Sequence, residues 1–126
     1  MALIPAPIIL SKCPVKQDAS PIILEIIVGN AQLNQGSFSV KRTISSPASI
    51  QGELRSGEPV IIGSGPELAG QRLSVLVTVA TIQSVDTTLT FKLSEGTTNI
   101  NITNSTQANA IGDVVVYEAY IRFTNS

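Results

Sequence analysis

The chain reads as an all-β protein, a two-sheet antiparallel β-sandwich of about eight strands, and three features of the sequence carry that expectation. Apolar residues recur with period two in segment after segment, which is the signature of a strand with one buried face. Gly, Pro, Asn, Asp and Ser punctuate these segments at the short spacing of sandwiches and barrels. No window of a dozen residues shows the i, i+3, i+4 apolar pattern of an amphipathic helix.

Residues 1–20 read as an extended N-terminal arm or first strand, and residues 21–126 as the sandwich domain. Pro5, Pro7 and Pro14 lack backbone donors and hold their neighbours out of the helical region. Ile8, Ile9 and Leu10 make the arm too apolar for a free tail. Pro21 then opens the run Ile22-Ile23-Leu24-Glu25-Ile26-Ile27-Val28. A continuous apolar run predicts burial on both faces, one against the core and one against a partner.

Residues 37–44 alternate, with Phe38, Val40 and Ile44 sharing a face with Arg42. Short strands are expected over 50–54 and 59–62, the second opened by Pro59. Residues 63–70 form a connector with a helical turn over 66–69, Pro at its start and Gly at its end. The strongest alternation follows in 71–82, with Leu73, Val75, Val77 and Val79 on one face. Leu89, Phe91 and Leu93 repeat it in 87–94, and the turn at 83–86 predicts that these two segments pair as a hairpin. Ile100 and Ile102 mark a weaker, edge-like strand, and 104–110 reads as a polar loop. Val115, Tyr117, Ala119, Ile121 and Phe123 form one face of the last strand, 114–123, with Tyr120 on the other.

Several strands carry apolar groups on both faces, which favours two packed sheets over one open sheet. Leu68-Ala69-Gly70 followed by the alternation from Leu73 to Val79 is similar to immunoglobulin-like sandwiches; the cysteine pair and core tryptophan of antibody-type domains are missing. Period-two patterning leaves jelly-roll and immunoglobulin-like connectivity both open.

The chemistry that the chain excludes is clearer than the chemistry it offers. Histidine is absent, which removes Ser-His-Asp and Cys-His catalysis in their usual forms and all His-ligated metal sites. Cys13 is the single cysteine, without a resolving partner, and is expected to be a buried, inert thiol. The nine carboxylates are scattered singly, so neither a glycosidase pair nor a calcium loop is signalled. Glu25 is the one charge in its apolar run and is expected to guard a sheet edge, the alternative being a pair with Lys or Arg at an interface. Gly63, Gly65 and Gly70 resemble a phosphate loop but lead into a strand rather than a helix. Asn101-Ile102-Thr103 and Asn104-Ser105-Thr106 match the N-glycosylation acceptor pattern, which has meaning only in a secreted eukaryotic protein.

Residues 1–10 lack the positive region of a secretory signal, and Lys12 occupies a small-residue position of the lipoprotein-like box ending at Cys13. No stretch is long and apolar enough for a transmembrane helix. The cytoplasm or an assembled particle is the expected location. Net charge is −1 with Lys41-Arg42 as the sole basic pair, so neither nucleic acid nor membrane insertion is expected.

Only 13% of residues are charged, against roughly 25% in a typical soluble domain. With the two-faced apolar strands and the apolar arm, this points to a non-enzymatic structural or assembly subunit, a homo-oligomer or a partner of other protein subunits, with no cofactor. The expected interface residues are Ile8, Ile9 and Leu10 of the arm, Ile22, Leu24 and Ile26 of the apolar run, and Tyr120. The alternative is a monomeric sandwich module that binds a small ligand or glycan.

Overall fold

The computed structural model describes residues 2–8, 12–15, 20–29, 33–43, 45–96 and 98–125, with the side chains of Ile8, Leu33, Thr98 and Asn125 left outside the description. Strand makes up 69% and helix 4% of the described residues, so the period-two reading holds. In chain order the elements are β1 (Leu3–Ile8), β2 (Lys12–Val15), β3 (Pro21–Val28), β4 (Leu33–Lys41), β5 (Ile50–Leu54), β6 (Val60–Ser64), α1 (Gly65–Leu68), β7 (Arg72–Ala80), β8 (Asp86–Glu95), β9 (Thr98–Gln107) and β10 (Val114–Asn125). Among the described residues ten strands stand where about eight are expected, because the arm supplies β1 and β2.

The strands form two sheets. One has the order β1-β10-β7-β4-β5, with β2 also on β10; the other has the order β6-β3-β8-β9. Their inner faces share one core. Val40, Leu73, Val77, Val115, Tyr117 and Phe123 project from the first sheet, and Leu24, Ile26, Leu89 and Phe91 from the second, all fully buried. Tyr117 and Thr87 join the layers by a hydroxyl–hydroxyl bond of 2.6 Å. Thr87 gives its one hydroxyl hydrogen to the Thr106 carbonyl at 2.8 Å, so the Tyr117 hydroxyl is the donor across the core.

The layers approach closely at Gly36. A Cβ there would lie 3.0 Å from the Leu54 carbonyl oxygen and 3.2 Å from Ile26 Cδ1 of the facing sheet. At the edge of the second sheet, the register between β3 and β6 shifts between Ile22 and Ile23. Gly63 takes φ +147° at this bulge, where a Cβ would meet Leu68 Cγ at 3.2 Å.

The arm lies along its own domain. β1 runs parallel to β10 from Leu3 opposite Val114 to Ile8 opposite Ala119, and β2 continues from Lys12 opposite Arg122 to Val15 opposite Asn125. Between them the arm advances four residues while β10 advances three, from Ala119 to Arg122. A one-residue offset exchanges the faces of a strand. Ala6 therefore points inward in β1, whereas Cys13 and Val15 point inward in β2.

Two local expectations are corrected. β7 and β8 do not form a hairpin: β7 pairs with β4 and β10, and β8 with β3 and β9. After Ala80 the chain is clamped to the turn before β10, with the Thr81 N–H donating to the Asp113 carbonyl at 3.0 Å and its hydroxyl to the same oxygen at 2.7 Å. Residues 82–85 then cross between the layers, so the apolar faces of β7 and β8 meet across the core instead of lying side by side. The polar segment from Asn104 to Gln107 extends β9 rather than looping, pairing with β8 from Leu89 to Asp86.

Asp113 fastens the start of the arm. Its carboxylate accepts the Ala2 N–H at 3.0 Å and the Ala110 N–H at 3.1 Å. The Ala2 bond above all holds this carboxyl below the usual value of 3.8, against the opposing effect of burial. A depressed folded-state pKa contributes stability above the unfolded value and loses it as pH falls through the folded one. Asp113→Asn is expected to lower the urea midpoint near neutral pH, with the gap from the parent chain closing below the ordinary carboxylate pKa. Midpoints measured across that range check the sign.

Candidate functional site

The outer face of the six-stranded sheet is ordered by register. Residues directly opposite on neighbouring strands point to the same side, so each row is set by backbone pairing. Leu73, Val40 and Ile121 face the core, which turns Arg72, Lys41 and Arg122 outward. Cys13 and Val15 do the same for Lys12, which is exposed.

Lys12 lies opposite Arg122, Arg122 opposite Arg72, and Arg72 opposite Lys41. Four of the chain's eight cations thus form one row across four adjacent strands. None of the four makes an ion pair among the described residues; the ion pair there is Arg55–Glu53 at 3.7 Å. Arg42, exposed, directly follows Lys41.

The next row is Tyr120, Ser74, Ser39 and Gln51. The one beyond is Glu118, Leu76, Ser37 and Glu53. The face is therefore graded from basic, through polar and aromatic, to acidic.

Tyr120 is 64% exposed and stands between two open grooves. The first, about 620 Å³, is bordered by Lys41, Thr43, Arg72 and Arg122; the second, about 630 Å³, by Ser39, Gln51, Leu76 and Glu118. The Tyr120 hydroxyl donates to Glu118 Oε2 at 3.2 Å. The Glu118 charge, and then that bond, raise the phenol pKa above its ordinary value. The ring is thus a neutral phenol, held at one end by a carboxylate and exposed between the two grooves.

The other residues singled out from sequence fall elsewhere. Ile22, Leu24 and Ile26 are at most 1% exposed within the chain's own core and have no surface to offer a partner. The alternate residues Ile23 and Ile27 take the outer face of β3. Ile8 pairs through its backbone with Ala119; its side chain, and all of Ile9 and Leu10, lie outside the described residues. Glu25 does not guard an edge, since β3 lies between β6 and β8, and Lys92 stands directly opposite it. An opposite charge across the ladder, beyond ion-pair distance, makes a charge tolerable in that run.

Cys13 is 5% exposed and its Sγ donates to the Pro14 carbonyl oxygen, 3.8 Å away. Burial first, and the Glu95 charge second, push its pKa up and disfavour the nucleophilic thiolate. Among the described residues no three His, Cys, Asp or Glu side chains are grouped to hold a metal ion. No helix among them is long and apolar enough to cross a membrane.

The cation row is the feature that reading along the chain missed. Period two already placed Arg72 and Arg122 opposite the apolar faces of their strands. Their common height comes from pairing between strands up to 110 residues apart, from Lys12 to Arg122, for which local pattern has no signal. Comparison with protein-family models, curated proteins and solved structures finds no match to this chain, and the functional reading rests on the geometry of this face.

Proposed function

We propose that this chain is a non-enzymatic binding module whose working surface is the outer face of the six-stranded sheet around Tyr120. The observation that carries it is an aromatic side chain 64% exposed between two open grooves, on a face that otherwise presents ordered polar and charged rows. An exposed ring on a rigid sheet supplies contact area with little loss of side-chain freedom. The absence of histidine and the buried, protonated Cys13 support a binding role over a catalytic one. The test is a ligand screen on isotopically labelled protein. Resonances of β10, β7 and β4 are expected to shift with a saturable ligand, and Tyr120→Ala to abolish the shift. Ligands that perturb only the other sheet would overturn the assignment.

A second reading, assembly with further copies or other protein subunits, has its own observation. Leu3, Ile82 and Ile111 are 68%, 52% and 58% exposed at one end of the molecule. Backbone bonds gather that end, from Val114 to Ala2 and from Gly112 to Thr81. Sedimentation of the chain and of a Leu3→Ser, Ile82→Ser, Ile111→Ser variant tests this reading. A parent chain that stays monomeric at high concentration removes it.

A further inference from the structure

We infer that the ligand of this face is an acidic glycan, a sugar chain bearing carboxylate or sulfate groups, laid along the row Lys12, Arg122, Arg72 and Lys41. The inference rests on the binding-module reading above and adds the class of ligand.

Like charges directly opposite one another destabilise a sheet. Here three successive neighbour pairs are like-charged and without a carboxylate partner among the described residues, with Lys12, Arg122 and Arg72 exposed and Lys41 half-buried. An anion lying along the row removes that repulsion. At the usual interstrand spacing the row spans roughly 14 Å, longer than one carboxylate or sulfate group can cover.

The chemistry beside the row suits a sugar. Lys41, Arg72 and Arg122 border the same groove as Tyr120. In the adjoining row Tyr120 offers a face for the apolar side of a sugar ring, and Ser74, Ser39 and Gln51 offer donors and acceptors for hydroxyls. Glu118 and Glu53, one row further, repel an anion and fix which edge of the ligand carries its charge.

The same face fits nucleic acid poorly. Single strands are held by successive bases stacking on several aromatics. Tyr120 is the only aromatic facing outward, since Phe38, Phe91, Tyr117 and Phe123 are buried. The net charge of −1 lacks the broad positive field that phosphate backbones select.

Calorimetry on the full chain at low salt tests the inference with four probes: an oligogalacturonide, a heparin hexasaccharide, cellohexaose, and an oligothymidylate. At least one acidic sugar is expected to bind, with affinity falling as salt screens the row. Arg72→Gln and Arg122→Gln should each weaken that binding at least tenfold. Relief of like-charge repulsion should leave their melting temperatures unchanged or higher, which separates lost binding from lost folding. The two acidic sugars distinguish carboxylate from sulfate recognition. Cellohexaose binding that is lost in Tyr120→Ala but kept in Arg72→Gln overturns the acidic-glycan class and leaves the binding face intact. Oligothymidylate binding tighter than both acidic sugars overturns it as well, as does acidic-sugar binding indifferent to both arginine variants. Silence of all four probes, together with no ligand-induced shift on β10, β7 or β4, removes both readings.

Discussion

Replacing Phe91 by alanine is expected to cost about 3–5 kcal/mol of folding stability, in the range of buried aromatic truncations. Phe91 is fully buried on β8, where it lies opposite Ile26 of β3 on one side and Ile102 of β9 on the other. Truncation loses the apolar transfer of the ring and leaves a cavity between layers whose backbones are held by ladders on both sides. Domains of this size are stable by only ~5–15 kcal/mol. The substitution therefore removes a large part of the margin, and the urea midpoint should fall far without a change in slope. Phe91→Leu keeps most of the volume and should cost less than half as much. A midpoint change worth under ~1 kcal/mol for the alanine variant would mean that the two sheets do not meet at Phe91 as described.

Removal of residues 1–15 is expected to have a comparable effect, through a different mechanism. β1 and β2 cover the edge of β10 for nearly its whole length and bury Ala6, Cys13 and Val15. Without them, backbone groups from Val114 to Asn125 become an unpaired edge, the kind of surface that recruits other chains. The truncated chain should melt several degrees lower and associate in a concentration-dependent way, measured by calorimetry and sedimentation. An arm donated to a neighbour predicts the reverse, a smaller assembly built from equally stable protomers. Val15→Glu keeps the arm's length but places a charge in the core, and should reproduce the destabilisation. Full stability in both variants would show that the arm does not complete this sheet.

Much of the fold was legible along the chain. Each of the eight segments expected as strands contributes one, and the faces named from alternation in β7, β8 and β10 are the buried ones. Legibility failed where a choice depended on partners. Leu73 to Val79 and Leu89 to Leu93 look alike whether they pair in one sheet or face each other across two. The deciding contacts, Thr81 with Asp113 and Asp86 with Gln107, lie in turns and ladders well separated along the chain. The apolar run from Ile22 to Val28 predicts core plus partner surface. The structure uses Ile22, Leu24 and Ile26 for its own core and leaves Ile27 partly exposed. Alternation places Tyr120 opposite the core side of its strand, and the structure sets it on an open face. Its surroundings were not readable, because grooves and rows are made by strands distant in sequence.

The sequence by itself determined that the chain is β-rich, which side of most strands turns inward, and that histidine chemistry is absent. Those properties are local: a strand's alternation is written in its own residues. Tertiary structure alone decided that the arm folds along β10 with its inward face exchanged between Ala6 and Cys13, and that Lys12, Arg122, Arg72 and Lys41 stand at one height. Register between distant strands is a collective outcome of packing both layers at once. A shift of one residue anywhere would exchange core for surface, so no single segment encodes it.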